Sequence, residues 1–209
     1  MPVRRRRIRH RARSYIPVKA NKRILVIDMA LLAEEVVQEW INRQGFFTIR
    51  GIKIGVHEID ILAFKPSPDG NHVCRQIEVQ VSTNPIAYVS KVPKTAQKER
   101  GIGPDNAKER TKEELTQGIR EWIQKKFDHP KKAVLRQRLY PGEWSRELVV
   151  NAVKHPEELD LFRKAGVKII QFKDVVRQVQ RQSHMIEAAA GNHLLTLMLL
   201  GKEQAEQEG

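Results

Sequence analysis

Two apolar runs, each with a carboxylate near its centre, constrain this chain more than any other feature. The first is Glu58-Ile59-Asp60-Ile61-Leu62-Ala63-Phe64 and the second Ile77-Glu78-Val79-Gln80-Val81. Side chains alternate faces along a strand, so Glu78 and Gln80 share one face and Val79 takes the other. An acid in such a run lies at or near a packed sheet, where an unpaired carboxylate is costly or forced to take a proton. Each of these acids therefore needs a partner. On neighbouring strands with Asp60 facing as Glu78 does, two carboxylates come together, and a hard divalent cation between them relieves their repulsion. Oxygen donors from carboxylates, a backbone carbonyl and water suit Mg²⁺ or Mn²⁺.

The surrounding pattern alternates helices and strands. Ile24-Leu25-Val26-Ile27 reads as a short strand or a hydrophobic lead-in, with Asp28 in an N-cap position. From Met29 to Gln44, Ala30, Ala33, Val37 and Ile41 recur at helical spacing, and Gly45 supplies the stop. Glu34 borders that apolar stripe, whereas Glu35 points nearly opposite, toward solvent. Extended runs over Phe46–Lys53, Val56–Phe64 and His72–Ser82 give a helix followed by a three-strand meander. Residues 83–105 form a long Pro- and Gly-containing connection of the kind that is functional or mobile. A second helix is expected over Asn106–Phe127, ended by His129-Pro130. Strands follow over Lys132–Tyr140 and Glu147–Val153, a short helix over Pro156–Ala165, a strand over Val167–Phe172, and helix from Asp174 onward.

A helical acid, an acid on the second strand and Glu-x-Gln on the third resemble the PD-(D/E)XK nuclease superfamily. The likeness is to its restriction-endonuclease-like and archaeal Holliday-junction-resolvase-like branch. It spans roughly residues 29–82, through Ala33-Glu34-Glu35, Gln44-Gly45-Phe46 and the two acid-bearing runs, in order and spacing. The resemblance implies an α/β fold, a restriction-endonuclease-like mixed sheet flanked by helices, with a basic N-terminal arm and a C-terminal helical extension. It implies a metal-dependent endonuclease that hydrolyses DNA phosphodiester bonds with Mg²⁺ or Mn²⁺. Asp60, Glu78 and the carbonyl of Val79 would be metal ligands, and Glu34 would bind the metal or orient the attacking water. Gln80 stands where the family most often has lysine, and Ile59 where proline often precedes the acid. Glutamine can orient a water or a phosphate oxygen but brings no positive charge, so Lys53 and Lys108 are candidates to replace it. His57 reads as a strand residue rather than a base, and the remaining histidines show no metal-ligand spacing.

The charge distribution points to a polyanion. Of the 38 basic residues, ten fall within residues 1–27, leaving 28 against 25 acids in the rest of a chain of net charge +13. Such an arm has too little apolar surface to fold alone, and counterion release drives it onto phosphate backbones. The expected contacts are Arg4, Arg5, Arg6, Arg7, Arg9, Arg11 and Arg13 of the arm. Lys94 and Lys98, with Lys91 and Arg100, join them from one loop, and Lys108 and Lys112, with Arg110, from the start of the second helix. DNA is favoured over RNA. Two other classes remain: a catalytically silent nuclease-fold subunit for DNA binding or assembly, and an RNA- or ribosome-associated structural protein.

Residues 1–23 are thus read as a basic arm, 24–182 as a nuclease-like core and 183–209 as a C-terminal helix with a polar tail. Met185, Ile186, Leu194, Leu195, Leu197, Met198, Leu199 and Leu200 wrap so much of a helix that a homodimer through residues 183–200 is expected. The plainer alternative folds this stretch back onto its own domain. A single cysteine, Cys74, excludes an intrachain disulfide and fits a reducing compartment. No stretch approaches twenty apolar residues, and no apolar signal core follows the arginines. A cytoplasmic or nucleoid-associated protein without membrane contact is the expectation.

Overall fold

The computed structural model describes residues 22–181; Arg4 to Arg13 and the apolar stretch 183–200 lie outside them. The chain is α/β, with a five-stranded mixed sheet and six helices among the described residues. Helix α1 (Lys22–Asn42) precedes the antiparallel strands β1 (Phe47–Ile54), β2 (His57–Lys65) and β3 (Val73–Gln80). Helices α2 (Lys94–Arg100), α3 (Lys112–Lys126) and α4 (Pro130–Leu139) then carry the chain to β4 (Trp144–Val150), parallel to β3. Helix α5 (Glu157–Lys164) leads to β5 (Lys168–Gln171), parallel to β4, and α6 (Phe172–Arg181) follows. The strands lie in chain order, with β1 and β5 at the edges.

Alternation along the strands divides the interior in two. Ile61, Ala63, Ile77 and Val149 face α1 and α6, meeting Val36, Val37, Trp40, Ile41, Val175 and Val179. Leu148 and Val150 face the other way, toward Ile119, Trp122, Ile123 and Phe127 of the α3 segment and Leu159 and Phe162 of α5. Each buried aliphatic or aromatic side chain contributes about 1.5–3 kcal/mol, so these two layers fix which face each strand residue takes. Among the described residues no helix is long and apolar enough to cross a membrane.

The helix-plus-meander reading matches the structure, and four details differ. Helix α1 begins at Lys22, so Ile24–Ile27 is helical and Asp28 lies inside the helix rather than at its cap. Its end falls where the glycine requires: Gly45 has φ +82°, which other residues rarely adopt. Helix α3 begins at Lys112, not Asn106, because Thr111 and Glu114 form a reciprocal capping box. Residues 130–139 are a helix, not a strand: Pro130 takes the first turn, where its missing N–H costs nothing, and His129 accepts from Lys131 N. Glu35 does not face open solvent; its carboxylate is paired with Arg50 at 3.1 Å.

The long connection after β3 is held down rather than loose. Ile86 bridges to Val153. The fully buried Glu158 of α5 accepts from Val89 N at 2.7 Å, Ser90 N at 2.9 Å and Ser90 Oγ at 2.5 Å. The connection also presses on α3 at Gly118, where a Cβ would meet the carbonyl of Lys91 at 2.7 Å. Helix α2, which periodicity gave no hint of, lies within it.

Candidate active site

Asp60 and Glu78 meet at one end of the sheet. Strands β2 and β3 pair up to Ile61 and Ile77. Beyond that step the Asp60 carboxylate takes over, accepting from Val79 N through Oδ2 at 2.8 Å. The site thus opens at the carboxyl end of β3, where parallel strands of α/β sheets commonly receive ligands. Glu78 is 1% exposed and Asp60 8%.

A lysine that the sequence reading had not singled out occupies the space between the two acids. Lys126 Nζ lies 2.6 Å from Glu78 Oε2 and 3.8 Å from Asp60 Oδ1. The two carboxylates therefore converge on one cation position, held here by an ammonium. Lys132 Nζ approaches the other oxygen of Glu78 at 3.4 Å, and Gln76 Nε2 donates to it at 3.1 Å. Burial and the neighbouring Asp60 push the Glu78 carboxyl up to about 7, against the pull of Lys126 and Lys132. Burial opposes the charge on Lys126, but Glu78 and Asp60 outweigh it and hold the ammonium above its ordinary value. The ammonium at 2.6 Å pairs with the charged form of the Glu78 carboxylate. Lys132, 1% exposed, is lowered by burial and only partly restored by Glu78.

The last turn of α3 aims Lys126 at the acids. Helix C-termini leave carbonyls without intrahelical partners. The Lys126 carbonyl accepts from Gln76 Nε2 at 2.8 Å and Lys132 Nζ at 2.7 Å, and the Phe127 carbonyl from Arg136 at 2.7 Å. Two cations from α4 and one amide from β3 thereby clamp the helix end that bears Lys126. Lys126 lies three, four and seven residues past Ile123, Trp122 and Ile119, on the apolar face of α3. A lone lysine continuing an apolar stripe was the signal in the sequence. Lys53 and Lys108, weighed for the missing charge, are exposed on edge strand β1 and in the loop before α3.

Glu34 stands apart from the pair. Among the described residues no three His, Cys, Asp or Glu side chains are placed to hold one metal ion. Glu34 nonetheless senses the site: partial burial and the charge of Asp60 push its carboxyl up to about 7. Gln80 ends β3 and is exposed. It lines a groove of about 1260 Å³ together with Lys126. Lys91, Lys94, Arg120, Lys125 and Lys154 line the same groove, with Asp105 and Glu121 as its acids. The His57 ring lies against His129 on this wall, tilted by 33° with centroids 3.6 Å apart, and desolvation and His129 lower its pKa.

The expected phosphate contacts separate into two groups. Lys94, Lys98, Lys108 and Lys112 are exposed. Lys91 is paired with Asp105, and Arg100 with Glu114 at 2.8 Å. Arg110 is buried, with its guanidinium 4.0 Å from the Tyr88 ring centroid and donating to the Ser90 carbonyl at 3.0 Å, so it braces the loop that walls the groove.

For a cation the donor chemistry fits. Two carboxylates of hard oxygen character address one position, beside the backbone of Val79, and an ion entering there would displace the Lys126 ammonium.

No protein-family model and no curated protein matches this chain. Among solved structures it is similar to a protein of unknown function, AF1548, at 9% identity and a TM-score of 0.41. The alignment covers 86% of this chain and 100% of that one, and a likeness this low carries no argument about function.

Proposed function

We propose that this chain is a divalent-metal-dependent endonuclease of restriction-endonuclease-like fold that hydrolyses DNA phosphodiester bonds. The observation that carries the reading is the convergence of Asp60 and Glu78 on one cation position, held by Lys126, which lines a basic groove. Asp60, Glu78 and the Val79 carbonyl are the residues that would hold Mg²⁺ or Mn²⁺. Such an ion, when bound, neutralises charge on the phosphate and acidifies water enough for attack near neutral pH. Lys126, once released from the acids, lies on the groove wall and supplies to a phosphate oxygen the positive charge that Gln80 lacks. Glu34, with its carboxyl near 7, is suited to take up or release a proton at that carboxyl close to neutral pH. Gln80 orients a water or phosphate oxygen at the end of β3. Lys94, Lys98, Lys108 and Lys112, with the arginines of the N-terminal arm, neutralise phosphates and set the position of the duplex without reading its sequence.

A catalytically silent subunit of the same fold is the second reading, favoured by the Lys126 ammonium at the cation position and by the separation of Glu34. Cleavage assays with the purified chain and a plasmid or branched DNA distinguish the two. Asp60→Ala and Glu78→Ala should abolish Mg²⁺- or Mn²⁺-dependent cleavage and leave DNA binding largely intact. Unchanged cleavage by either variant would place the chemistry elsewhere. Tight DNA binding with no cleavage by the wild type in either ion selects the silent subunit, and stronger binding to structured RNA selects an RNA-associated role.

A further inference from the structure

At the end of the sheet away from Asp60 and Glu78, an apolar groove lies open. It measures about 200 Å³ and is lined by Phe47, Ile49, Leu62, Phe64, Leu139 and Trp144. Phe47 is 72% exposed, Ile49 50% and Leu139 46%. Phe47 and Ile49 alternate outward along edge strand β1, opposite Phe64 and Leu62 of β2, so they form a stripe and not scattered contacts. Soluble proteins rarely leave contiguous apolar surface of this kind uncovered. Tyr140 also lines it and brings the one side-chain hydroxyl, while the Trp144 indole N–H is already donated to the Tyr140 carbonyl at 3.2 Å. A lining this apolar favours aliphatic or aromatic side chains as its occupant.

The chain's own continuation offers a candidate occupant. The last turn of α6 is tied to the end of α1: Trp40 Nε1 donates to Gln178 Oε1 at 2.7 Å, and Arg43 donates to the Val179 carbonyl at 3.0 Å. Four residues past Arg43 the chain reaches Phe47, on the rim of the groove. Helix α6 thus ends on the α1 face of the sheet, at the same end as the groove, which opens on the other face. The 28 residues beyond Arg181 are ample to round that end, since ten extended residues alone span roughly 33–36 Å. Among them is the most apolar stretch of the sequence, Met185 to Leu200, with Leu194, Leu197 and Met198 at spacing i, i+3, i+4.

We propose that this groove is the docking site for residues 185–200 of the same chain. A segment tethered on the same chain has an effective concentration on the order of millimolar, well above that of a second copy at micromolar protein. Apolar side chains predominate on both sides. The inference is independent of the nuclease reading, because the groove and the acid site sit at opposite ends of the sheet.

Hydrogen exchange read by mass spectrometry, with sedimentation on the same samples, tests it on the full chain and on a form ending at Gln182. The full chain should sediment as a monomer. Its amides in Phe47–Ile54 should exchange about tenfold or more slowly than in the shortened form. Ile49→Asp keeps the tail and puts a charge into the groove. It should unprotect both β1 and residues 185–200 while the circular dichroism spectrum stays native. Equal exchange of β1 in the two forms, or tail protection undisturbed by Ile49→Asp, would overturn the proposal. A full chain that sediments as a dimer and loses groove protection on dilution also overturns it, in favour of a second copy.

Discussion

Strand β3 carries two buried charge clusters three residues apart, on opposite faces, and they are built on different principles. Arg75 and Glu147 face α1 and form a bidentate pair at 2.9 and 2.6 Å. Ser145 adds a donor to the same carboxylate at 2.9 Å, and the guanidinium stacks over Trp40 and Phe46 at 5.3 and 5.1 Å. One positive group meets one negative group, and every strong valence is used. Glu78, facing α3, shares its corner with a second acid and two lysines, and burial beside Asp60 drives its carboxyl up to about 7. The first cluster is closed and serves packing. The second holds unlike and like charges in mutual tension at the edge of a groove, which is the arrangement that shifted pKa values mark at functional sites.

That contrast can be broken most directly by removing one cation from each cluster. Arg75→Ala strands Glu147 in the core and should cost about 3–5 kcal/mol in urea unfolding. Lys126→Ala should cost about 1 kcal/mol or less, because Lys132 still reaches Glu78 and the groove admits water. Equal losses would mean that both clusters are structural. A smaller effect sharpens the comparison from the ligand side. Mg²⁺ or Mn²⁺ at a hundredfold over its dissociation constant should stabilise the chain by about 2.7 kcal/mol. Thermal melts of Asp60→Asn should show none of this, and a wild type whose melting ignores both ions would remove the metal site. The smallest effect is in pH. Glu34 titrates at about 7 in the fold and near 4.5 in the unfolded chain. Between those values the fold holds a proton that the unfolded chain has released. Its stabilising contribution is therefore complete below about pH 4.5 and lost as pH rises through about 7. Glu34→Gln should flatten that decline between pH 5 and 8 by under about 1 kcal/mol, given solvent screening of a half-exposed group. Urea midpoints at the two pH values measure it, and a steeper decline in the variant would contradict the assignment.

Much of the fold was legible because its signals are local. Strand alternation placed Glu78 opposite Val79, and the apolar stripe of Ala33, Val37 and Ile41 placed α1 on the sheet; both follow from the periods of strand and helix. Helix α4 was misread because it has no apolar stripe: among its residues only Lys132 is buried, so neither period stood out. Its true marks, Pro130 in the first turn and helix-favouring Ala, Leu, Arg and Gln, were present and outweighed by the expectation of another strand. The early start assigned to α3 likewise passed over Thr111-Lys-Glu-Glu114, a capping box visible in the sequence.

The sequence by itself determined that Glu78 and Gln80 lie on one strand face and Val79 on the other, because a strand has a two-residue period. It also determined the charge excess at the N-terminus and the apolar excess near the C-terminus. Only the tertiary structure decided what meets the Glu78 carboxylate. Lys126 and Lys132 lie 48 and 54 residues beyond Glu78 and arrive on two different helices. Their approach depends on where α3 ends against Gln76 and how α4 turns back to cap it, and no local period encodes the closure of so long a loop. The same holds for the groove at Phe47 and Leu139, whose walls come from β1 and α4 and become neighbours only when the sheet is assembled.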